Sequence, residues 1–297
     1  MNKILFLVNP TSGTLRAHSA LFDLIDCFCK AGIEPSTVIT QYPGHAAQLA
    51  AGAADRGFDA LVCCGGDGTL NEAVSGVLRG GRSLPLGYIP AGSTNDFART
   101  LELPTEPVRA AQELLNGSLM PLDIGKFGKD RYFCYIASFG AFTAASYSAT
   151  TEMKNTFGHF AYLIEGLKDL PNIRAHRVKV RTEDREISGS FIFGSVSNTK
   201  SVGGVVKLSD EHTHISLNDG LFEVTLVREP QNPLDLNKIV TGIAAGDFSS
   251  DMFEFFKADR VEFTLGKTIP WTLDGEKAST DGTVVIENLH DAIRILK

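Results

Sequence analysis

The sequence predicts an α/β domain built on a parallel sheet, followed by a second domain rich in β-strand. Three observations carry that prediction. Through about residue 118, short β-branched runs alternate with longer segments of helical period, the signature of a parallel sheet covered by helices. After Asp123 the texture changes to the every-other-residue alternation of strands. The chain has 297 residues, 43% of them hydrophobic, enough for two cores of ordinary size. The boundary falls at 121/122, giving domains 1–121 and 122–297, with the last strand able to return to the first domain.

In the first domain the predicted strands are residues 4–8, 36–40, 60–64 and 86–89. Helices are predicted between them at 15–30, 45–56 and 70–79, with Gly32 and Gly57 as C-terminal caps. In the second domain, alternation marks strands at 178–181, 190–196, 221–227, 261–265 and 283–286. Two helical stretches, 157–170 and 234–245, interrupt them, and the chain has no internal repeat or low-complexity linker.

Composition excludes several classes. A net charge of -7 argues against a nucleic-acid partner, which would need a basic domain or a long basic stripe. Five cysteines, including the adjacent Cys63 and Cys64, form neither a CxxC pair nor a disulfide framework, so a reducing compartment, the cytoplasm, is expected. The apolar run at the N-terminus is too short for a secretory signal and reads as the first strand. Residues 132–151 carry no charge and are long enough to span a bilayer. Ser138, Gly140, Thr143, Ser146, Ser148 and Thr150, with Ile136 as the one branched aliphatic, make that span weakly favourable. A buried strand followed by a small-residue helix is expected there instead.

The strongest local signal is a buried strand at 60–64 that breaks into Gly65-Gly66-Asp67-Gly68-Thr69-Leu70-Asn71-Glu72 and opens a helix. Such a turn lets backbone N–H groups approach phosphate oxygens, and the helix N-terminus adds a favourable partial charge. Asp67 would repel a phosphate unless it engages Mg²⁺ or an incoming hydroxyl; the bland alternative is an N-cap. Three other strand ends carry similar chemistry: Asn9-Pro10-Thr11-Ser12-Gly13, Thr40, and Pro90-Ala91-Gly92-Ser93-Thr94-Asn95-Asp96. Each alone reads as a turn or cap, but together they line one edge of one sheet, where ligands of such sheets bind. A dinucleotide fingerprint would need glycine at Asn71, and no Walker A lysine follows the glycines. Gly266-Lys267-Thr268 imitates the end of a Walker A motif, but Val261 occupies its first glycine, so a loop is expected.

The blocks NPTSG, GGDGTLNE and PAGSTNDFAR, in this order and spacing, resemble those of the diacylglycerol and sphingosine kinase-type lipid kinases. The resemblance extends over nearly the whole chain, through residues 157–168, Asn218-Asp219-Gly220-Leu221 and Leu273-Asp274-Gly275-Glu276. The GGDGT turn alone is shared with NAD kinases and phosphofructokinases. The resemblance implies a nucleotide-binding α/β domain of that kind, a β-sandwich-like lipid domain, and an active site in the cleft between them. It implies ATP and Mg²⁺ as cofactors, with ATP contacted by Thr40, by Gly65, Gly66, Asp67, Gly68, Thr69, Leu70 and Asn71, and by Ser93, where the family usually has threonine. Asn9, Ser12 and Gly13 would lie nearby. Glu276 would be the general base that takes the lipid hydroxyl proton, with Asp67 as its rival or its partner through Mg²⁺. Ser216, Asp219 and Leu221 match a metal site of bacterial members, although residues 203–214 depart from the usual glycine- and proline-containing segment; a β-turn at Asn218-Asp219-Gly220 is the even alternative.

The implied function is an ATP-dependent lipid kinase acting on diacylglycerol, cytoplasmic and transiently at the inner membrane surface; a homodimer is compatible with it. Phe157, Phe160, Ile164 and Leu167 recur at helical spacing and would wall an acyl-chain pocket or simply face the core. Arg177, Lys179 and Arg181 alternate on one strand face, either as solvated surface or as a peripheral contact with anionic lipid. The rival readings are an NAD kinase-type enzyme with a soluble acceptor, and a non-catalytic lipid- or nucleotide-binding protein of the same fold.

Overall fold

The computed structural model describes residues 1–13, 16–141, 174–199, 201–202, 206–207, 216–280 and 282–297. They form two compact units, Met1–Ile124 with Asp291–Lys297, and Gly125–His290. The first unit holds β1 (Lys3–Val8), α1 (Arg16–Lys30), β2 (Glu34–Ile39), α2 (His45–Ala51), β3 (Ala60–Gly65), α3 (Asp67–Gly80), β4 (Leu86–Pro90), α4 (Asp96–Thr100) and α5 (Pro107–Asn116). Its strands are parallel in the order β2-β1-β3-β4. The end of β17 (Thr283–Leu296) adds beside β4 through Ile295 opposite Leu86.

Central strands of such a sheet are buried on both faces, which is why β1 and β3 read as continuous apolar runs. Ile4, Phe6 and Val8, with Ala60, Val62 and Cys64, pack against Leu24 and Phe28 of α1 and Ala110, Ala111 and Leu114 of α5. Each Ile, Leu, Val or Phe among them contributes about 1.5–3 kcal/mol on burial. Connections leave β1 in one direction and β3 in the other, so the strand order reverses between them, the position at which sheets of this kind bind ligands.

The predicted helix at 45–56 is regular only to Ala51, where Gly52 ends it. Gly32 and Gly57 both take positive φ and close helical turns: Ile33 N–H donates to Phe28 C=O and Phe58 N–H to Ala53 C=O. Helix α5 carries a cap that sequence reading passed over, with the Glu106 carboxylate accepting from the Val108 and Arg109 N–H groups and Pro107 in the first turn.

The second unit continues from β5 (Leu119–Phe127) into β6 (Arg131–Phe133), β7 (Ile136–Gly140), β8 (His176–Arg181), β9 (Glu186–Ser197), β10 (Ser201–Val202), β11 (Val206–Lys207) and β12 (Phe222–Arg228). There follow α6 (Pro233–Ala245), β13 (Phe253–Ala258), β14 (Arg260–Leu265), β15 (Ile269–Leu273) and β16 (Glu276–Thr280). Strands run β16-β15-β7-β9-β8-β14-β17, and β12 bridges β9 to β13. The architecture is the β-sandwich-like one expected. Its core centres on Trp271, which is fully buried with the Phe139, Phe263 and Phe127 rings 4.9–5.2 Å away. Gly266-Lys267-Thr268 is the loop between β14 and β15, as expected. The helix expected at 157–170, with its apolar stripe, and the one expected after β7 lie outside the described residues. No helix of the described residues is long and apolar enough to cross a membrane.

Candidate active site

The C-terminal ends of β1, β3 and β4 bring three glycine-containing loops into backbone contact. A Cβ on Gly13, whose φ is +56°, would lie 2.5 Å from the Ala91 carbonyl oxygen. One on Gly92 would lie 2.6 Å from the Gly66 Cα. The glycines are there because chain must pass against chain. Polar side chains complete the join. The Asn9 amide donates to Thr69 Oγ1 at 2.8 Å, and the Ser12 hydroxyl accepts from the Gly66 N–H at 3.3 Å. Asn95, at a left-handed φ of 52°, clamps Gly92 by accepting from its N–H at 2.9 Å and donating to its C=O at 2.8 Å.

Of the expected nucleotide contacts, Asn9, Ser12, Gly13, Gly65, Gly66, Asp67, Gly68 and Thr69 thus meet at one place. Leu70 is buried as the fourth residue of the helix, and Asn71 accepts a long contact from Ser75 Oγ at 3.5 Å. Ser93 is exposed at its loop tip. Thr40 follows β2, with its N–H donating to Val8 C=O at 2.9 Å. The N–H groups of Gly68 and Thr69, in the first turn of α3, have no intrahelical acceptor and suit an anion. Burial holds the Cys63 thiol well above its ordinary value and pushes Cys64 up to about 12, so both are packing groups.

Asp67 is not the N-cap residue of its own helix, a position held by Gly66. It is the first residue of α3, and its two carboxylate oxygens accept from the Asp96 and Phe97 N–H groups, at 3.0 and 3.1 Å, at the start of α4. The side chain thereby ties the GGDGT turn to the PAGSTNDF block at the sheet edge. Glu72, which sequence reading did not single out, does the same for α2, accepting from Gly44 N–H at 2.7 Å and Ala46 N–H at 3.2 Å. That anchors the loop after Thr40 to α3.

In the second unit, β15 and β16 form a hairpin with Asp274 and Gly275 as its two loop residues, at φ 49° and 86°. Positive φ at both is the type I′ turn that Asp-Gly favours. Asp274 is only 5% exposed, and its carboxylate accepts three backbone N–H groups, from Cys134 at 2.6 Å and from Tyr135 and Ile136 at 3.0 Å each. Glu276 begins β16 opposite Leu273, its side chain exposed and without a hydrogen bond among the described residues. A buried acid therefore fixes the turn and leaves the next acid exposed. In the sequence Asp274 stood out only as part of the Leu273-Asp274-Gly275-Glu276 block, because its partners stand 138–140 residues away.

Ser216, Asp219 and Leu221 lie together in the turn before β12. The Leu221 N–H donates to Asp219 Oδ1 at 3.1 Å, and the Ser216 hydroxyl donates to Asn218 Oδ1 at 3.0 Å. The Lys257 ammonium sits 3.0 Å from Asp219 Oδ2 and 3.4 Å from Glu223 Oε1. Glu223 is 0% exposed, its Oε2 has no hydrogen-bond partner among the described residues, and burial pushes its carboxyl up to about 7 against the pull of Lys257. The donors fit a hard divalent cation in kind, all oxygen with an orphaned carboxylate beside them, and Lys257 is a competing cation on the same oxygens.

Residues 3–127 match the family model for the diacylglycerol kinase catalytic domain, and residues 136–297 that for the YegS C-terminal NAD kinase beta sandwich-like domain. The diacylglycerol kinase of Bacillus subtilis (strain 168) is 34% identical over 278 residues, which cover 93% of this chain and 90% of that protein. The chain belongs to the diacylglycerol kinase family. The diacylglycerol kinase of Staphylococcus saprophyticus is 32% identical, over 91% of this chain and 87% of its own. A crystal structure of a diacylglycerol kinase from Bacillus anthracis str. Sterne has a TM-score of 0.74 at 20% identity, covering 99% of this chain and 96% of that one. A second structure from the same organism reaches 0.81 at 21%, over 99% and 97%. At that identity the structures speak for the fold alone. The family membership expected from NPTSG, GGDGTLNE and PAGSTNDFAR is shown by the sequence relatives.

Proposed function

We propose that this member of the diacylglycerol kinase family transfers the γ-phosphoryl group of ATP to the hydroxyl of diacylglycerol. The observation that carries the reading is the join of three glycine loops at the reversal point of the parallel sheet, with a helix N-terminus and one fixed carboxylate facing the same edge. Backbone N–H groups of Gly68 and Thr69 hold the phosphates, with Asn9, Ser12, Gly13, Thr40 and Ser93 around them. Asp67 keeps a charge where Mg²⁺ would neutralise the phosphates. Ser216, Asp219 and Leu221, with Glu223 beside them, would hold a second hard cation. When bound, the metal supplies charge neutralisation.

The acceptor oxygen forms a bond to the γ-phosphorus as the bond to the ADP oxygen breaks, and Glu276 receives the hydroxyl proton. Little covalent chemistry is asked of the protein, so alignment and charge dominate. Five free cysteines support a reducing compartment, and the proposed place of work is the cytoplasmic face of the membrane.

Steady-state kinetics of Glu276→Gln tests the assignment. Glu276 is exposed and unbonded, so stability and ATP affinity should be unchanged while kcat falls by roughly 10²–10⁴-fold. Wild-type turnover in this variant would remove Glu276 from the mechanism.

A further inference from the structure

Sheet register sets one charged cluster of the second unit. Glu223 on β12 pairs with Lys257 on β13, and the Lys257 ammonium lies 3.4 Å from Glu223 Oε1 and 3.0 Å from Asp219 Oδ2. The ammonium thus stands between a carboxylate of the strand and one of the turn before it. Asp219 Oδ1 is taken by the Leu221 N–H at 3.1 Å. Glu223 is wholly buried, and its Oε2 has no hydrogen-bond partner among the described residues. That open, buried oxygen is a sign, independent of the turn, that positive charge belongs here, because a buried carboxylate stripped of its cation is strongly destabilising. A slip of one residue between β12 and β13 would turn Lys257 to the other face, so the sheet itself holds the ammonium in place. The Asp219 carboxylate is also the one expected to bind a divalent cation. Mg²⁺ binds oxygen at about 2.1 Å, so an ion on Asp219 Oδ2 would stand no more than about 5 Å from an ammonium that is 3.0 Å from the same atom. Two positive charges that close repel, and one must leave.

We propose that Lys257 is the resident cation of this turn: its ammonium neutralises Asp219 and Glu223 in place of a metal, and a divalent cation binds there only by displacing it. The inference rests on the reading of Ser216, Asp219 and Leu221 as metal-binding residues and says how this chain regulates that site. With Lys257 seated, the turn keeps its form without metal. With Lys257 displaced, the all-oxygen set of Asp219, Glu223, Ser216 and the Leu221 carbonyl is what a hard cation requires. The stability of the second unit is then independent of divalent cations, and the Mg²⁺ requirement of phosphoryl transfer belongs to the nucleotide side.

Melting of the full chain without nucleotide, followed by Trp271 fluorescence in EDTA and across a MgCl₂ series at constant ionic strength, tests it. Wild type should melt at one temperature throughout. Lys257→Met should melt lower in EDTA and regain much of the loss as Mg²⁺ is added, saturating at a concentration on the order of tenfold below any response of wild type. Lys257→Met/Asp219→Asn should regain nothing. Bound Mn²⁺ counted by electron paramagnetic resonance gives a second readout: Lys257→Met should hold one ion more than wild type, and Asp219→Asn the same number as wild type. Should Lys257→Met not fold, Lys257→Gln, neutral but still polar, carries the same comparison. A wild-type melting temperature that falls in EDTA or rises with Mg²⁺, and that Asp219→Asn makes insensitive, would overturn the proposal while leaving the metal site standing. Absence of any metal response or extra ion in the Lys257 variants would overturn the metal site and the proposal together.

Discussion

Replacing Asp274 by Asn keeps the size of the side chain and leaves an Asn-Gly pair, which also favours the type I′ turn, so the hairpin itself is preserved. One carboxylate oxygen becomes an NH₂ group. In the native protein Oδ1 accepts from Tyr135 and Ile136 N–H and Oδ2 from Cys134 N–H. If the amide keeps its oxygen toward Tyr135 and Ile136, Cys134 N–H faces another donor, and a buried unsatisfied group costs about 1–3 kcal/mol. The two surviving bonds lose their charge assistance, about 1 kcal/mol each. The total is on the order of 3–5 kcal/mol, which lowers the melting temperature of a unit this size by roughly 10 °C. Trp271 is the only tryptophan, fully buried on β15 three residues before Asp274, so its fluorescence during heating or urea titration follows this unit. Turnover should fall as Glu276 loses its seat, with ATP binding by the first unit unchanged. A Trp271 transition within about 0.5 kcal/mol of wild type would refute the reasoning.

Asp67 combines two roles that substitution separates. Asp67→Ala should cost about 1–2 kcal/mol through the lost cap on α4, and Asp67→Asn, retaining one acceptor, about half of that, while both lose turnover because the charge is gone; melting with single-turnover kinetics reads the two effects. Lys257→Met leaves Glu223 buried without its cation and should destabilise by about 3 kcal/mol, with Lys257→Met/Glu223→Leu recovering most of it in urea unfolding. His176 is held below its usual value of 6.5, so the unfolded chain takes up more protons just below that pH. Its contribution to stability is complete above about 6.5 and is lost as pH falls through the lowered folded value; His176→Gln should flatten that acid slope in a series of urea titrations.

The parallel sheet of the first unit was legible because buried strands and amphipathic helices differ in period, and β3 breaks where its glycines begin. The loops around it were legible as chemistry but not as geometry. That Asp67 caps α4 and Glu72 caps α2 depends on which helix ends lie beside α3, and no local pattern reports that. Strands β13, β15 and β16 were passed over for different reasons. Phe253–Ala258 does not alternate cleanly, Ile269–Leu273 contains Pro270, and Glu276–Thr280 is short and largely polar. Glu223 looked like one polar residue in an apolar strand, and only the pairing of β12 with β13 sets it opposite Lys257. Thus the sites that depend on sheet register, Asp274 and Glu223, were the ones that needed the fold.

Transfer from [γ-³²P]ATP into a mixed lipid panel in detergent micelles, with NAD and sugars as parallel acceptors and with Mg²⁺ present or withheld, tests the central claim most directly. Mg²⁺-dependent label in phosphatidic acid alone is the expected result; label only in a soluble acceptor, or in none, would contradict it.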